Sequence, residues 1–278
     1  MDQYVVIGHP VSHSKSPAIH AAFARQTGQD LTYQTLQAPL DGFAASVAQL
    51  RARGVKGANV TVPFKLEACA LADQLTARAA AAGAVNTLSF SPAGVVGDNT
   101  DGVGLVTDIV ANAGIVITGK RILLLGAGGA ARGALLPLLA QGPAQLVIAN
   151  RRLATAQELL QLAQQFSPGS ALEARQLDNL EGRFDLIINA TSASLNGSMP
   201  TLAASLFAGA ELAYDMMYAA VPSAFLCFAS QCGVPARDGL GMLVEQAAEA
   251  FLLWRGVRPQ TAAVLAQMRA ELNRTVAA

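Results

Sequence analysis

Residues Arg121 to Pro143 read RILLLGAGGAARGALLPLLAQGP, and this stretch decides the fold. Ile122 to Leu125 form an unbroken apolar run, the pattern of a parallel strand buried on both faces. Gly126, Gly128 and Ala131 fill the small-residue positions of a G-x-G-x-x-[GA] turn, in which backbone amides and a helix N-terminus approach a pyrophosphate. Ala131, Ala134, Leu135, Leu138 and Leu139 then recur at helical spacing and predict one apolar helix face, which Gly142-Pro143 ends. Pro137 predicts a kink, eased by Gly133 four residues earlier. Glycine triplets also serve plain turns, but a strand before and a helix after favour dinucleotide binding.

The chain's 278 residues exceed a typical single domain, so two domains are expected. A mean hydropathy of +0.36 rests largely on alanine, and no apolar run approaches the roughly 18 to 20 residues that cross a bilayer. The formal net charge is zero without a long Lys/Arg cluster, which argues against nucleic-acid or anionic-membrane partners. Small acidic metabolites need only local charge and stay open. Cys69, Cys227 and Cys232 are odd in number and lack metal-ligand spacing, so they read as core residues in a reducing cytosol, with no metal expected. The N-terminus is already a strand pattern without a signal-type segment, and a cytoplasmic location is expected. Monomer and homodimer both remain open.

Upstream of the opening stretch, residues 1 to about 100 alternate short apolar strands with amphipathic helices, an α/β pattern with mostly parallel strands. Strands are expected at Tyr4–Ile7, Leu31–Leu36 and Ala58–Val62, with helices from Pro17 and after Asp41. Ser16 before Pro17 reads as a helix N-cap, while Ser14 and Ser16 together read equally well as a carboxylate site at an electropositive helix start. In Asn59-Val60-Thr61-Val62-Pro63-Phe64-Lys65, strand alternation turns Asn59 and Thr61 to one side, opposite Ala58, Val60 and Val62. Pro63 ends that strand and places Lys65 at the C-terminal sheet edge, where open α/β sheets bind ligands. A lone lysine there is more often a solvated surface charge. Gly83 to Thr87 reads as a strand ending in Asn86 and Thr87, and Asp98-Asn99-Thr100-Asp101-Gly102 as a turn in which Thr100 or Asp101 could simply cap the next helix.

Downstream, strands are expected at Gln145–Ala149, near Leu172, at Phe184–Asn189 and at Glu211–Asp215, the last of them, completing a doubly wound nucleotide-binding unit. At the end of its second strand stand Asn150, Arg151 and Arg152, with two guanidiniums to grip a 2′-phosphate and no carboxylate to hold a ribose hydroxyl. NADP is therefore preferred over NAD. The loop Leu195 to Pro200 could flank the nicotinamide or only close its strand, and Met216 and Tyr218 read as core on their own. After Asp238-Gly239-Leu240-Gly241 a long helix is expected with Gln246 on nearly the same face as Gly239, and a second from about Gln260.

The segments GHPVSHSKSP, NVTVPFK, GAVNT, GDNTDG, GAGGAARG, the Asn150-Arg151 pair, NATS, YDMMY and DGLGMLVEQA, in this order, resemble the shikimate dehydrogenase family over nearly the whole chain. The resemblance implies NADP-linked interconversion of shikimate and 3-dehydroshikimate. It implies two α/β domains, an N-terminal substrate domain with a mostly parallel sheet and a Rossmann-type doubly wound NADP domain. Residues 1–101 would bind substrate and carry catalysis, 102–237 would bind NADP, and the helices of 238–278 would return to the first domain. Ser14 and Ser16, with Tyr218, would bind the substrate carboxylate; Asn59, Thr61, Asn86 and Gln246 would hold ring hydroxyls; Lys65 and Asp101 would be the catalytic pair. Gly126, Ala127, Gly128, Gly129 and Ala130 would take the pyrophosphate, Asn150, Arg151 and Arg152 the adenosine phosphate, and Met216 and Gly239 the nicotinamide side. Arg152 stands where many relatives have threonine, and Ala77 where many have an acidic residue proposed to touch the cofactor.

The chemistry agrees with this reading. Reducing a ketone builds negative charge on its oxygen, so a positioned acid must supply a proton. A lysine ammonium can stabilise the alkoxide and deliver that proton, and in reverse a neutral lysine acts as base, so oxidation should improve at alkaline pH. Rival readings are a quinate or aminoshikimate enzyme, against which Arg151 and Arg152 lean in the NAD-linked case, and a non-catalytic NADP or metabolite sensor, against which Lys65 and Asp101 stand. A tetrahydrofolate-type dehydrogenase gains no support from GHPVSHSKSP and GDNTDG.

Overall fold

The computed structural model describes residues 1–193 and 197–277. β1 (Asp2–Gly8), α1 (Ser16–Thr27), β2 (Leu31–Gln37), α2 (Phe43–Ala52), β3 (Gly57–Val60), α3 (Lys65–Leu71), β4 (Gln74–Leu75), α4 (Ala77–Ala82), β5 (Thr87–Ser91) and β6 (Gly94–Asp98) build one sheet in the order β2-β1-β3-β5-β6-β4. α5 (Asp101–Thr107) runs through a π-helical turn at Asp108–Asn112 into the second unit. There β7 (Arg121–Leu125), α6 (Gly129–Leu139), β8 (Gln145–Asn150), α7 (Leu153–Phe166), β9 (Leu172–Gln176), β10 (Leu186–Asn189), β11 (Leu212–Asp215), α8 (Ala224–Gln231) and β12 (Ala236–Asp238) follow. Its sheet is wholly parallel, in the order β12-β11-β10-β7-β8-β9. The order reverses between β7 and β10, which opens a ligand crevice at the C-terminal strand ends.

The opening stretch behaves as its pattern demands. Ile122 and Leu124 join the apolar core on one face of the sheet, and Leu123 and Leu125 the core on the other. Ala131, Ala134, Leu135, Leu138 and Leu139 of α6 all pack into the first of these cores, at about 1.5–3 kcal/mol per fully buried leucine. α9 (Leu240–Arg255) and α10 (Ala262–Ala277) return to the first unit, where Val244, Phe251, Val264 and Met268 share a core with Ile19 and Phe23 of α1.

At the joint between the sheets α5 crosses α9 on glycine. A Cβ at Gly104 would lie 2.7 Å from the Gln246 backbone nitrogen. Beside this crossing the buried Asp108 carboxylate accepts from Tyr214 Oη at 2.8 Å, Arg237 Nε and Nη2 at 2.8 and 2.6 Å, and Asn112 Nδ2 at 2.9 Å. A single side chain thus ties the π-helical turn to β11 and β12.

Five local expectations are corrected. Cys227, on α8, is exposed rather than in the core, and Cys69 and Cys232 are only partly buried. β3 ends at Val60, and Val62 is 64% exposed instead of sharing the buried face of Ala58 and Val60; Pro63, with no N–H, cannot extend the ladder. Gly83 caps α4 in a left-handed conformation (φ 59°), so the strand expected there begins only at Thr87 and forms an antiparallel hairpin with β6. The strand ending at Asp215 is not the last, because β12 adds to the sheet edge with a polar sequence that shows no strand pattern. Ser16 is the first residue of α1 rather than its N-cap, a position held by Lys15, and Ser14 Oγ accepts from the Ser16 N–H at 3.3 Å.

Candidate active site

Lys65 opens α3 just beyond the C-terminal end of β3, and Asp101 opens α5. Lys65 Nζ donates to Asp101 Oδ2 at 2.5 Å. The other carboxylate oxygen accepts from Asn86 Nδ2 at 2.8 Å, while the Asp101 N–H donates to Asn99 Oδ1 at 3.1 Å. The backbone is braced too, since the Val85 N–H donates to the Lys65 carbonyl at 2.9 Å. Thr100 holds the N-cap position of α5, yet its hydroxyl caps nothing and faces Asn86 Oδ1 and Gln246 Oε1 at 3.2 and 3.3 Å.

Asn86 is the hub. Its amide nitrogen lies within hydrogen-bond distance of Asp101 Oδ1, Thr100 Oγ1 (2.9 Å) and Gln246 Oε1 (3.3 Å), three acceptors for two protons. Gln246 is the longest of the three and the first that a ligand hydroxyl can replace. Asn59 Nδ2 donates to Thr87 Oγ1 at 3.0 Å and the Asn86 carbonyl at 3.2 Å, and its Oδ1 accepts from Tyr33 Oη at 2.7 Å. One lone pair on Oδ1 is left. Thr61 packs where Gly8 has no side chain, for a Cβ there would lie 2.5 Å from Thr61 Cγ2.

Direct bonds therefore join Lys65, Asp101, Asn86, Gln246 and Asn59, and Tyr33, whose phenol burial holds well above its usual pKa, donates to Asn59, whereas Ser16 makes no hydrogen bond to this set among the described residues. Ser14 and Tyr218 make no hydrogen bond to this set among the described residues. Tyr218 is half-buried against the α1–α9 core, where burial, then Asp238, raises its pKa and keeps it a donor. Tyr33 joins the site although nothing in its sequence neighbourhood marks it, and Thr87 does so as the second polar residue of the Asn86-Thr87 pair.

The crevice of the second sheet has a different character. Gly126 adopts φ 102° after β7, and a Cβ there would approach the Ala190 carbonyl at 3.2 Å, so glycine is required by the turn itself. At Gly128 and Gly129 a Cβ would meet no atom within 4 Å. Packing makes no demand for glycine at these two positions, where the bare backbone at the start of α6 suits a pyrophosphate. Ala127 and Ala130 complete this turn. At the end of β8, Asn150 Nδ2 donates to the Arg152 carbonyl at 3.1 Å, and Arg151 and Arg152 beyond it extend exposed guanidiniums without an ion-pair partner among the described residues. Met216 is buried in the core beside Met242, and a Cβ on Gly239 would collide with the Met216 carbonyl oxygen. In the loop expected at Leu195 to Pro200, Leu195 and Asn196 lie outside the described residues.

The two centres touch. A Cβ at Gly102 would collide with the Gly133 carbonyl oxygen and fall 2.6 Å from Pro137 Cγ, so the residue after Asp101 is seated on the helix that begins at the glycine turn. Among the described residues no three His, Cys, Asp or Glu cluster as metal ligands, and no helix is long and apolar enough to cross a membrane.

Three family models match the chain: a shikimate dehydrogenase substrate binding domain at residues 6–88, a shikimate / quinate 5-dehydrogenase at 109–199, and a shikimate 5′-dehydrogenase C-terminal domain at 239–269. The chain is 59% identical over 271 residues, 98% of each chain, to a shikimate dehydrogenase (NADP(+)) of Janthinobacterium sp. (strain Marseille). It is 48% identical to the crystal structure of an Ael1 enzyme from Pseudomonas putida, with a TM-score of 0.91 over 96% of this chain and 98% of that one. It is 33% identical to a shikimate 5-dehydrogenase from Thermus thermophilus in complex with NADP(H) and shikimate, with a TM-score of 0.85 over 98% and 100%.

Proposed function

The chain belongs to the shikimate dehydrogenase family, and from that premise we propose that it interconverts 3-dehydroshikimate and shikimate with NADP(H). The observation that carries this reading is the Lys65–Asp101 pair seated beside the glycine-turn helix. Residues 1–101 bind substrate and carry the acid/base group, 102–237 hold the nucleotide, and 238–278 fold back on the first unit.

The nucleotide supplies a hydride for ketone reduction and accepts one in the reverse direction. Gly126 to Ala130 hold its pyrophosphate, and Asn150, Arg151 and Arg152 its adenosine phosphate. Met216 and Gly239 shape the nicotinamide side through their backbone, since the Met216 side chain is in the core. Ser14, Ser16 and Tyr218 take the substrate carboxylate. Asn59, Thr61, Asn86 and Gln246 receive the ring hydroxyls, with Gln246 exchanging its long contact to Asn86 for substrate. Lys65, as an ammonium, donates a proton to the carbonyl oxygen and stabilises its developing charge. Asp101 fixes the ammonium's direction, and Asn86 fixes Asp101. Closure of the two units over the crevice excludes water. Small soluble substrates and three free cysteines support a cytoplasmic setting, as monomer or homodimer.

Cofactor absorbance in four mixtures, shikimate or quinate with NADP or NAD, tests the assignment. Fast reduction is expected only with shikimate and NADP. No reaction in any mixture would favour a metabolite sensor, and faster turnover of quinate with NAD would overturn both substrate and cofactor.

A further inference from the structure

Behind the substrate pocket lies a ring cluster that the chemistry above leaves unused. His20, in the middle of α1, is 1% exposed and stacks on Tyr33 with ring centroids 4.1 Å apart and planes 5° from parallel. Phe23, Phe251 and Trp254 enclose it at 6.1, 6.1 and 5.6 Å. Its Nε2 is buried without a hydrogen-bond partner among the described residues. Burial lowers the imidazole pKa to about 3 and Asn59 offsets part of this, which puts the Asn59 amide near the ring but outside hydrogen-bond geometry. The ring is therefore neutral at working pH.

Tyr33 links this cluster to the site. Its phenol stays protonated and donates to Asn59 Oδ1 at 2.7 Å. A donor on that side settles which way the Asn59 amide points, with its N–H groups toward Thr87 and the Asn86 carbonyl. The flat stack on His20 in turn restrains the phenol. An orphaned buried nitrogen destabilises a fold, and an apolar ring would fill the same space without that penalty, so an imidazole here needs a reason.

We propose that His20 and Tyr33 are a positioning pair for the substrate: the stack holds the phenol, the phenol holds Asn59, and the spare Nε2 engages the free lone pair of Asn59 Oδ1 when Asn59 Nδ2 exchanges its 3.2 Å contact to the Asn86 carbonyl for a ring hydroxyl. This rests on the assignment of Asn59 to substrate binding.

Steady-state shikimate oxidation and thermal melting of His20→Phe, His20→Gln and Tyr33→Phe test it. His20→Phe is expected to melt at or above the wild-type temperature while its KM for shikimate rises about tenfold, a change worth one hydrogen bond. Its kcat and KM for NADP stay within about twofold, and Tyr33→Phe shows the same split. His20→Gln, which returns a donor, recovers much of the KM. Wild-type shikimate KM in both phenylalanine variants would overturn the proposal, as would equal losses for both substrates with lowered melting. If His20→Phe does not fold, Tyr33→Phe decides. A wild type inactive on shikimate would refute the functional reading itself and this pair with it, whereas insensitive variants of an active enzyme refute only the pair.

Discussion

Lys65 Nζ and Asp101 Oδ2 meet at 2.5 Å although 36 positions separate the residues and each opens a different helix. A cation at a helix N-terminus is unfavourable, and a partly exposed ion pair contributes little to stability, so folding alone gives no reason for this lysine here. Asp101 supplies the missing anion, and Asn86 leaves its carboxylate one direction. Such a pair is built to present an oriented ammonium.

Replacing Arg151 and Arg152 together by alanine should raise the KM for NADP about a hundredfold, roughly tenfold per charge-assisted contact, and leave that for NAD within about twofold. Kinetics with each cofactor measure it. An unchanged NADP preference would remove these arginines from the phosphate site.

Gly128→Ala should fold with wild-type stability, within about 0.5 kcal/mol, because its Cβ enters space free of protein atoms. Cofactor binding should nevertheless weaken at least about tenfold, since the methyl stands where the pyrophosphate approaches. Calorimetric melting and nucleotide titration read the two effects separately. Unaltered binding would show that the turn does not receive the phosphates.

Stability should fall on acidification below the ordinary histidine pKa of 6.5, because His20 titrates at about 3 in the fold. Between those values the unfolded chain binds the extra proton. The contribution is complete above pH 6.5 and shrinks by up to about 1.4 kcal/mol per unit as pH falls toward 3. Asp98 acts in the same direction: burial raises its pKa, but bonds from Arg78, Thr76 and the Asn99 backbone outweigh it and leave it lowered. Urea unfolding from pH 7 to pH 4.5 should therefore show a shallower loss for His20→Phe than for wild type. Parallel curves would mean that His20 carries no such penalty.

The fold is largely legible in the chain because strands and helices follow local periodicity, whereas the roles of the site residues come from the family resemblance. The unbroken apolar run of Ile122 to Leu125 and the helical spacing from Ala131 to Leu139 encode burial directly, and the strand is buried on both faces and the helix on one, as these patterns require. Lys65 was placed by a proline, a local signal as well. What stayed hidden depends on partners distant in sequence. β12 is a strand only because β11 offers an edge, Asn86 is a hub only because α9 brings Gln246 to it, and His20 looks like any helix residue until Tyr33 and Trp254 close over it. The extension of β3 to Val62 failed because alternation of side chains carries no information about the ladder, which Pro63, without an N–H, cannot continue.

Steady-state oxidation of shikimate by Lys65→Ala with NADP tests the proposed chemistry most directly. A kcat about a thousandfold below wild type, with KM for shikimate within about threefold and an unchanged melting temperature, is the result expected of a missing acid/base group. Near-normal turnover in a folded Lys65→Ala enzyme would contradict it, for then the proton must pass through some other residue.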